Sequence, residues 1–334
     1  TCKGAEMDRK ERICAAIAHR DVDKIPFSIW YHLPKEDQDP VSLAEAQIRL
    51  AQEYELDFIK MMPFGNYQAA DYGLSCEYYC LPNKAVKEIK FAIDNIEEWG
   101  EIKALPGCYG NHGKALMTSQ QQKKKQKKLG LEIPYIQTIF SPLTIARKLA
   151  GDRVFSDMQE RPDLIHHALA EITKTSIDFC MMNIDEGVAG FFFASQCSTH
   201  DLMSETEYIE FGQKYDLMIL NAVRPHTYFN VMHAHGEDPM FELLSKYPVD
   251  AINWHDRWAR PTMAEARKMT DKCLMGGINE NWIKGATVQE IENHLREAVD
   301  CGGRKGLILS PGCAADMDTP RENFLACAEI VKKL

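Results

Sequence analysis

Residues 229–239 read FNVMHAHGEDP, an apolar run that ends in two histidines, His233 and His235, spaced two apart. Successive side chains of a strand point to opposite faces, so this spacing aims both imidazoles the same way. Paired imidazoles at a strand end are a common start for a metal site. The same arrangement, a short apolar run with polar residues just past it, recurs along the chain. The runs are IPFSIW (25–30), DFIKMM (57–62), IPYIQTI (133–139), VAGFFFA (188–194), YFNVM (228–232), VDAINW (249–254), CLMGGI (273–278) and GLILS (306–310), eight in all. Between them lie longer amphipathic stretches such as PDLIHHALAEITKTSIDFCMMNI (162–184), with apolar residues at three and four spacing, and TVQEIENHLREAVD (287–300), which opens with a Thr-x-x-Glu capping box. Eight strands alternating with helices predict a single (β/α)8 TIM barrel, whose chemistry sits in the loops at the C-terminal ends of the strands. The interval 63–132, punctuated by Pro63, Pro82 and Pro106, is too long for an ordinary connection and reads as an elaborated segment between the second and third strands. The barrel is expected to span 8–334, with 1–7 (TCKGAEM) a loose start or cloning remnant.

A chain of 334 residues that is 45% hydrophobic can bury one large core. The formal net charge of -10 argues against a general nucleic-acid binder, which needs a basic face. The one basic run, QQQKKKQKK (120–128), is expected to be a solvated loop or helix face. Eleven cysteines are scattered without C-x-x-C pairs, and the start shows no apolar leader, which reads as a reduced, cytoplasmic protein. No apolar run approaches the length needed to span a bilayer. No glycine-rich phosphate loop or nucleotide fingerprint is visible.

Polar residues past the strand ends are the candidates for chemistry. Tyr31 and His32 follow the first run, Asn66 and Tyr67 the second, and Gln196, Cys197 and His200 the fourth. His233 and His235 follow the fifth, Asn253, His255 and Asp256 come with the sixth, Asn279 with the seventh, and Cys313 with the eighth. The sharpest group is His233, His235, His255 and Cys313, since zinc accepts imidazole nitrogen and thiolate sulfur at about 2.0–2.3 Å. Read without a metal, His233 is a core histidine held by a backbone carbonyl, His235 a solvated loop residue and Cys313 a buried thiol. His32, His200 and Asp256 are candidates for catalytic or orienting roles. Tyr31, Asn66, Tyr67, Gln196, Asn253 and Asn279 are candidates for substrate contact, with Phe64, Phe140 and Trp254 adding aromatic surface.

The chain also resembles the uroporphyrinogen decarboxylase superfamily from KERICAAIAHRDVDKIPFSIW (10–30) to LSPGCAADMDTPRENFLACAEIV (309–331). Between these, FSPLTIARKLAG (140–151), RPDLIHHALAEITKTSIDF (161–179), LMSETEYIEFG (202–212), VDAINWHDR (249–257) and MGGIN (275–279) are similar to that superfamily's landmarks. The resemblance implies a single (β/α)8 barrel and one of two chemistries. The decarboxylases carry Arg-Gln-Ala-Gly-Arg after the first strand to bind substrate carboxylates; this chain has WYHLPKEDQDP (30–40), which lacks both arginines. They also have a histidine near the last strand, where this chain has Cys313. The other branch holds zinc-dependent methyltransferases that work with corrinoid proteins, with His-x-Cys after the fifth strand and Cys after the eighth. Cobalamin-independent methionine synthase is a more distant relative with a Glu between. Carried over to this chain, His233 matches the histidine, His235 stands where the first cysteine would be, and Cys313 matches the last. His255 or Asp256 falls near the intervening Glu, as fourth ligand or as its hydrogen-bond partner.

Imidazole in place of thiolate leaves more positive charge on the metal, which favours activating a leaving oxygen over alkylating a thiol. The expected activity is thus transfer of a methyl group from a small, oxygen-methylated substrate to a corrinoid carried by a partner protein. A decarboxylase of tetrapyrrole biosynthesis is the second enzymatic reading. A third is a silent tetrapyrrole- or corrinoid-binding protein with His233, His235 or Cys313 as axial ligand. No contact with nucleic acid or membrane is expected, and a homodimer is possible.

Overall fold

The computed structural model describes residues 6–334. Seven parallel strands form one curled sheet: β1 (Ile59–Lys60), β4 (Tyr135–Phe140), β5 (Gly190–Ser195), β6 (Val231–Ala234), β7 (Ala251–Trp254), β8 (Cys273–Ile278) and β9 (Leu307–Pro311), hydrogen-bonded in that order. Helices such as Pro162–Asp185 and Val288–Gly302 connect them and cover the outside. Every residue of β4 to β9 is buried, as expected of parallel strands covered on both faces. A two-stranded antiparallel hairpin, β2 (Ser75–Glu77) with β3 (Lys87–Lys90), stands apart from this sheet.

The expected first strand, 25–30, is not a regular strand, so the parallel sheet has seven regular strands among the described residues. Its backbone meets β9 at a single bridge, Phe27 to Leu309, with Ser28 N donating to Leu309 O at 3.1 Å and Leu309 N to Pro26 O at 2.9 Å. On its other side Asp57 N donates to Phe27 O at 2.8 Å. The remaining links towards β1 are made by side chains: Phe27 N donates to Asp57 Oδ2 at 2.8 Å, and Ser28 Oγ to Phe58 O at 2.8 Å. Pro26 has no N–H, so a continuous ladder is not available here. A carboxylate and a hydroxyl take over some of its work.

The interval 63–132 holds the short helix Tyr67–Asp71, the hairpin, a 3-10 turn at Ile96–Glu101 and the long helix Gly110–Leu129. The lysine run lies on this last helix. Lys123, Lys124, Lys127 and Lys128 are exposed while Gln122 and Gln126 face inward, so the run is a solvated helix face. Of the start expected to be loose, residues 1–5 lie outside the described residues. Met7 is tied down, its N–H bonded to Asp23 Oδ2 at 3.0 Å and its carbonyl to Arg12 Nη2 at 2.6 Å. Among the described residues no helix is long and apolar enough to cross a membrane.

At the N-terminal end of the strands Arg12, from the helix Arg9–Ile17, donates to Asp57 Oδ1 at 2.6 Å and to both oxygens of Asp23 at 2.7 and 2.6 Å. Asp57 therefore holds the 25–30 segment through one oxygen and the first helix through the other. Asp57→Ala is expected to lower unfolding free energy by about 3 kcal/mol or more, because it strands both the Phe27 N–H and a buried guanidinium contact. A urea midpoint equal to that of the unaltered protein would refute this account of how the segment is held.

Candidate metal centre

The C-terminal strand ends bring together His233, His255 and Cys313. One possible ligand atom of each lies within 4.8 Å of the others. A tetrahedral zinc with bonds of about 2.0–2.3 Å separates its ligands by roughly 3.3–3.8 Å, so the group can close on an ion by movements of about 1 Å. His233 sits on β6 and His255 just past β7; each is 3% exposed. Cys313 follows β9 after Gly312. A Cβ at Gly312 would lie 2.8 Å from Trp254 O and 2.9 Å from His255 Cα, so glycine lets this turn press against the histidine's backbone.

The sheet register explains the first histidine. His233 pairs with Asn253 on the adjacent strand. The Asn253 amide donates to Met275 O at 2.9 Å and Pro311 O at 3.0 Å, which turns its oxygen towards His233 Nδ1 at 2.7 Å. That oxygen can only accept, so His233 Nδ1 carries the proton and Nε2 presents a lone pair. Burial, with the nearby rings of His255 and His235, pushes His233 well below its ordinary range and keeps it neutral.

His255 is oriented in the same manner by an acid. Its Nδ1 lies 2.6 Å from Glu280 Oε1, which also accepts from Trp258 Nε1 at 3.0 Å. Its Nε2 is buried with no hydrogen-bond partner among the described residues, which leaves its lone pair free for an ion. A carboxylate behind a ligating imidazole fixes the tautomer and raises its basicity. Burial alone would raise the Glu280 carboxyl, but the His255 hydrogen bond and charge carry it below its ordinary value. Burial pushes the Cys313 thiol up, so without an ion the cysteine favours its neutral form.

Other expected residues fall differently. His235 is outside the group of three: its ring is 4.8 Å from that of His255 and 5.9 Å from that of His233, edge-on to both. Burial pushes it down to about 4. Asp256 turns from the group and accepts from Gly277 N at 2.9 Å; burial raises its carboxyl to about 7. Asn253 and Tyr67, expected as substrate contacts, are engaged with the protein's own groups. Asn253 is fully buried behind His233, and Tyr67 is 1% exposed with its hydroxyl on Thr138 O at 2.8 Å. Trp254 likewise points into the core, its N–H on Pro261 O at 2.7 Å. Tyr31 stacks on Phe324 at 5.3 Å, and Asn279 caps the turn after it through Asn281 N and Trp282 N. Gln196 N donates to Thr144 Oγ1 at 2.9 Å. His200 is exposed and lines a separate surface groove with Pro239 and Met240. His32 and Asn66 share a cavity of about 130 Å³ with Asp37 and Phe64. Burial and the charges of Lys60 and Lys148 push His32 down to about 4.

Glu280 was missed by reading the sequence. Its signal was available: an acid two residues past the seventh apolar run, beside Asn279, in the position relative to its strand that Asp256 has after the sixth.

The model of the uroporphyrinogen decarboxylase (URO-D) family matches residues 8–334. The chain belongs to this family. Within it, the pattern is that of the methyltransferase branch. Methylcobamide:CoM methyltransferase MtbA of Methanosarcina acetivorans is 21% identical over 246 residues, 73% of this chain and 70% of the relative. Methylcobamide:CoM methyltransferase MtaA of Methanosarcina barkeri is 22% identical over 342 residues, 96% of this chain and 97% of the relative. A solved methyltransferase from Methanosarcina mazei superposes with a TM-score of 0.83 over 98% of this chain and 99% of its own, at 17% identity, and so shares the fold.

Asn253→Leu removes the acceptor of His233 and the donor to two carbonyls at once. It is expected to destabilise the protein by roughly 2–4 kcal/mol, as a drop in melting temperature. Imidazole nitrogen NMR should then show His233 sampling both tautomers. A single unchanged tautomer in that variant would remove Asn253 as its orienting group.

Proposed function

We propose that this chain is a zinc-dependent methyltransferase that exchanges a methyl group between a small, oxygen-methylated substrate and a corrinoid held by a partner protein. The observation that carries this reading is the convergence of His233, His255 and Cys313, with a buried, unpartnered imidazole nitrogen on His255. The names of the MtbA and MtaA relatives, methylcobamide:CoM methyltransferases, support the reaction class. Residues 25–31 serve in this reading as the eighth stave of a closed (β/α)8 barrel, so that all the ligands share one mouth.

Zinc held here by His233, His255 and Cys313 would supply a Lewis acid able to polarise the oxygen that loses its methyl group. The chain's residues do the rest. Asn253 and Glu280 hold the two imidazoles with their Nε2 atoms inward. One thiolate beside two neutral imidazoles leaves more charge on the ion than two thiolates would, which favours leaving-group activation. His235, edge-on to both ligand histidines, is placed to orient substrate. His32 and Asn66, on the wall of the small cavity, are placed to contact it, and Asp256 serves as a buried acid behind the site. The cavity of about 130 Å³ lined by His32 and Asn66 has room for a small methyl donor.

Purified protein is expected to bind about one zinc per chain. Cys313→Ala and His255→Ala should lower zinc affinity at least tenfold by competition with a chromogenic chelator, while His235→Ala retains the metal. Zinc retained by Cys313→Ala and lost by His235→Ala would reverse the assignment. With reduced corrinoid protein and a panel of methyl ethers, the visible spectrum of the corrinoid should report methylation that depends on zinc. No change with any donor, alongside turnover of uroporphyrinogen, would replace this reading with the decarboxylase one.

A further inference from the structure

Lys60 ends β1 inside the sheet's curl and is 7% exposed, yet no carboxylate among the described residues lies within 4.0 Å of its ammonium. Its hydrogen-bond partner is the sulfur of Met62 at 2.9 Å, a weak acceptor. Its other neighbours are aromatic faces, Phe192 at 4.4 Å and Trp30 at 5.6 Å from the ring centroids. A buried cation left this way is costly. Accordingly, burial pushes Lys60 down to about 7.

The place of this group ties it to the candidate site. Phe192 stacks on His233 with ring centroids 5.1 Å apart, so one ring separates Lys60 from a proposed ligand. The charge of Lys60 also acts on His32, on the wall of the small cavity, together with that of a second lysine. That second lysine, Lys148, donates to Asn66 Oδ1 at 2.8 Å, and Asn66 lines the same cavity. It too has no carboxylate within 4.0 Å among the described residues. The one acid on the cavity wall, Asp37, is raised to about 6 by burial and accepts from Gln38 at 2.9 Å, so it pairs with neither lysine. The two positive charges of a zinc bound there would be matched by the Cys313 thiolate and by Glu280 behind His255. The lysines thus lack a carboxylate in direct contact; the opposing groups that act on them are Cys313 for Lys60 and the more distant Glu88 for Lys148.

We propose that Lys60, supported by Lys148 behind Asn66, is the counter-charge for a carboxylate on the substrate, so that the methyl donor is a small organic acid. This rests on the methyltransferase reading only for what the carboxylate is attached to. The anion replaces the weak Met62 contact with an ion pair in a region poor in water, and the fixed ammonium orients the rest of the molecule. Lys148 reaches the cavity wall through Asn66, and a single pair of lysines suits one carboxylate, not the several of a tetrapyrrole.

The test is equilibrium binding by calorimetry to the full chain as purified, with acid and amide pairs of equal shape: methoxyacetate against methoxyacetamide, and benzoate against benzamide. The unaltered protein should bind at least one acid tenfold or more tighter than its amide. Lys60→Met should abolish that preference without weakening the amide, Lys60→Arg should restore most of it, and Lys148→Met should reduce it severalfold. Melting temperature and zinc content identify variants that have not folded, and Lys60→Gln replaces Lys60→Met in that case. Acids bound no better than amides, or a preference that survives in Lys60→Met, would overturn the proposal. So would loss of zinc in parallel with the preference, which would make Lys60 a partner of the Cys313 thiolate instead. Because no corrinoid or methyl transfer enters the measurement, failure of the methyltransferase assay leaves this result standing, and the converse holds.

Discussion

A single buried amide sets the terms for the rest of the site. Asn253 can satisfy its two N–H groups only if the carbonyls of Met275 on β8 and Pro311 on β9 stand where they do. With the amide so placed, its oxygen meets His233 on β6. Four strands therefore have to be in register at their C-terminal ends before this one group loses its desolvation penalty. A slip of one residue would turn Asn253 to the other face of the sheet and leave His233 unheld. The constraint that defines the histidine's tautomer is thus the same one that defines the register.

Glu280 has a comparable role at the next strand end, with a different balance of energies. A carboxylate that is 3% exposed is tolerated because His255 and Trp258 both donate to it. Its second oxygen, Oε2, has no partner within the described residues. It lies 3.1 Å from where a Cβ at Gly312 would be, so the glycine turn before Cys313 packs against the acid as well as against the His255 backbone. Histidine, orienting acid and thiol are consequently one packed unit, not three independent side chains brought near one another. Such pre-organisation is what lets a site hold an ion within a few tenths of an ångström of its preferred geometry.

The two ends of the sheet do different things for the protein. At the N-terminal end, Arg12, Asp23 and Asp57 form a fully paired ionic group that joins the first helix to the segment 25–30. At the C-terminal end, polar groups are left partly unpaired: His255 Nε2, Asp256 Oδ2 and Glu280 Oε2 are all buried without partners among the described residues. Unpaired groups of this kind are expensive in a folded chain and collect where a ligand completes them. Lys60 belongs to the second class although it lies in the sheet itself, which is why its charge points to a ligand and not to structure.

Much of the architecture was legible in the linear chain. Alternation of short apolar runs with three-and-four-spaced helices identifies a curled parallel sheet, and the placement of His233, His255 and Cys313 just past their runs identifies one end of it. Periodicity and strand-end position are local properties, so reading along the chain suffices for them. Other features were decided only in three dimensions. The first run was expected to be a strand, but pairing across Pro26 depends on Asp57, a residue thirty positions from Phe27 in the chain. His235 shares the direction of His233 along its segment, yet the curl of the sheet brings His255 and Cys313 into the group of three and leaves His235 at its edge. Asn253 reads as a mouth residue in the sequence and proves to be buried, because only register says which carbonyls face it. Glu280 and Lys60 were in plain view as letters. What they do depends on what surrounds them: in one case two donors that hold a buried acid, in the other the absence, among the described residues, of any acid that would neutralise a buried cation.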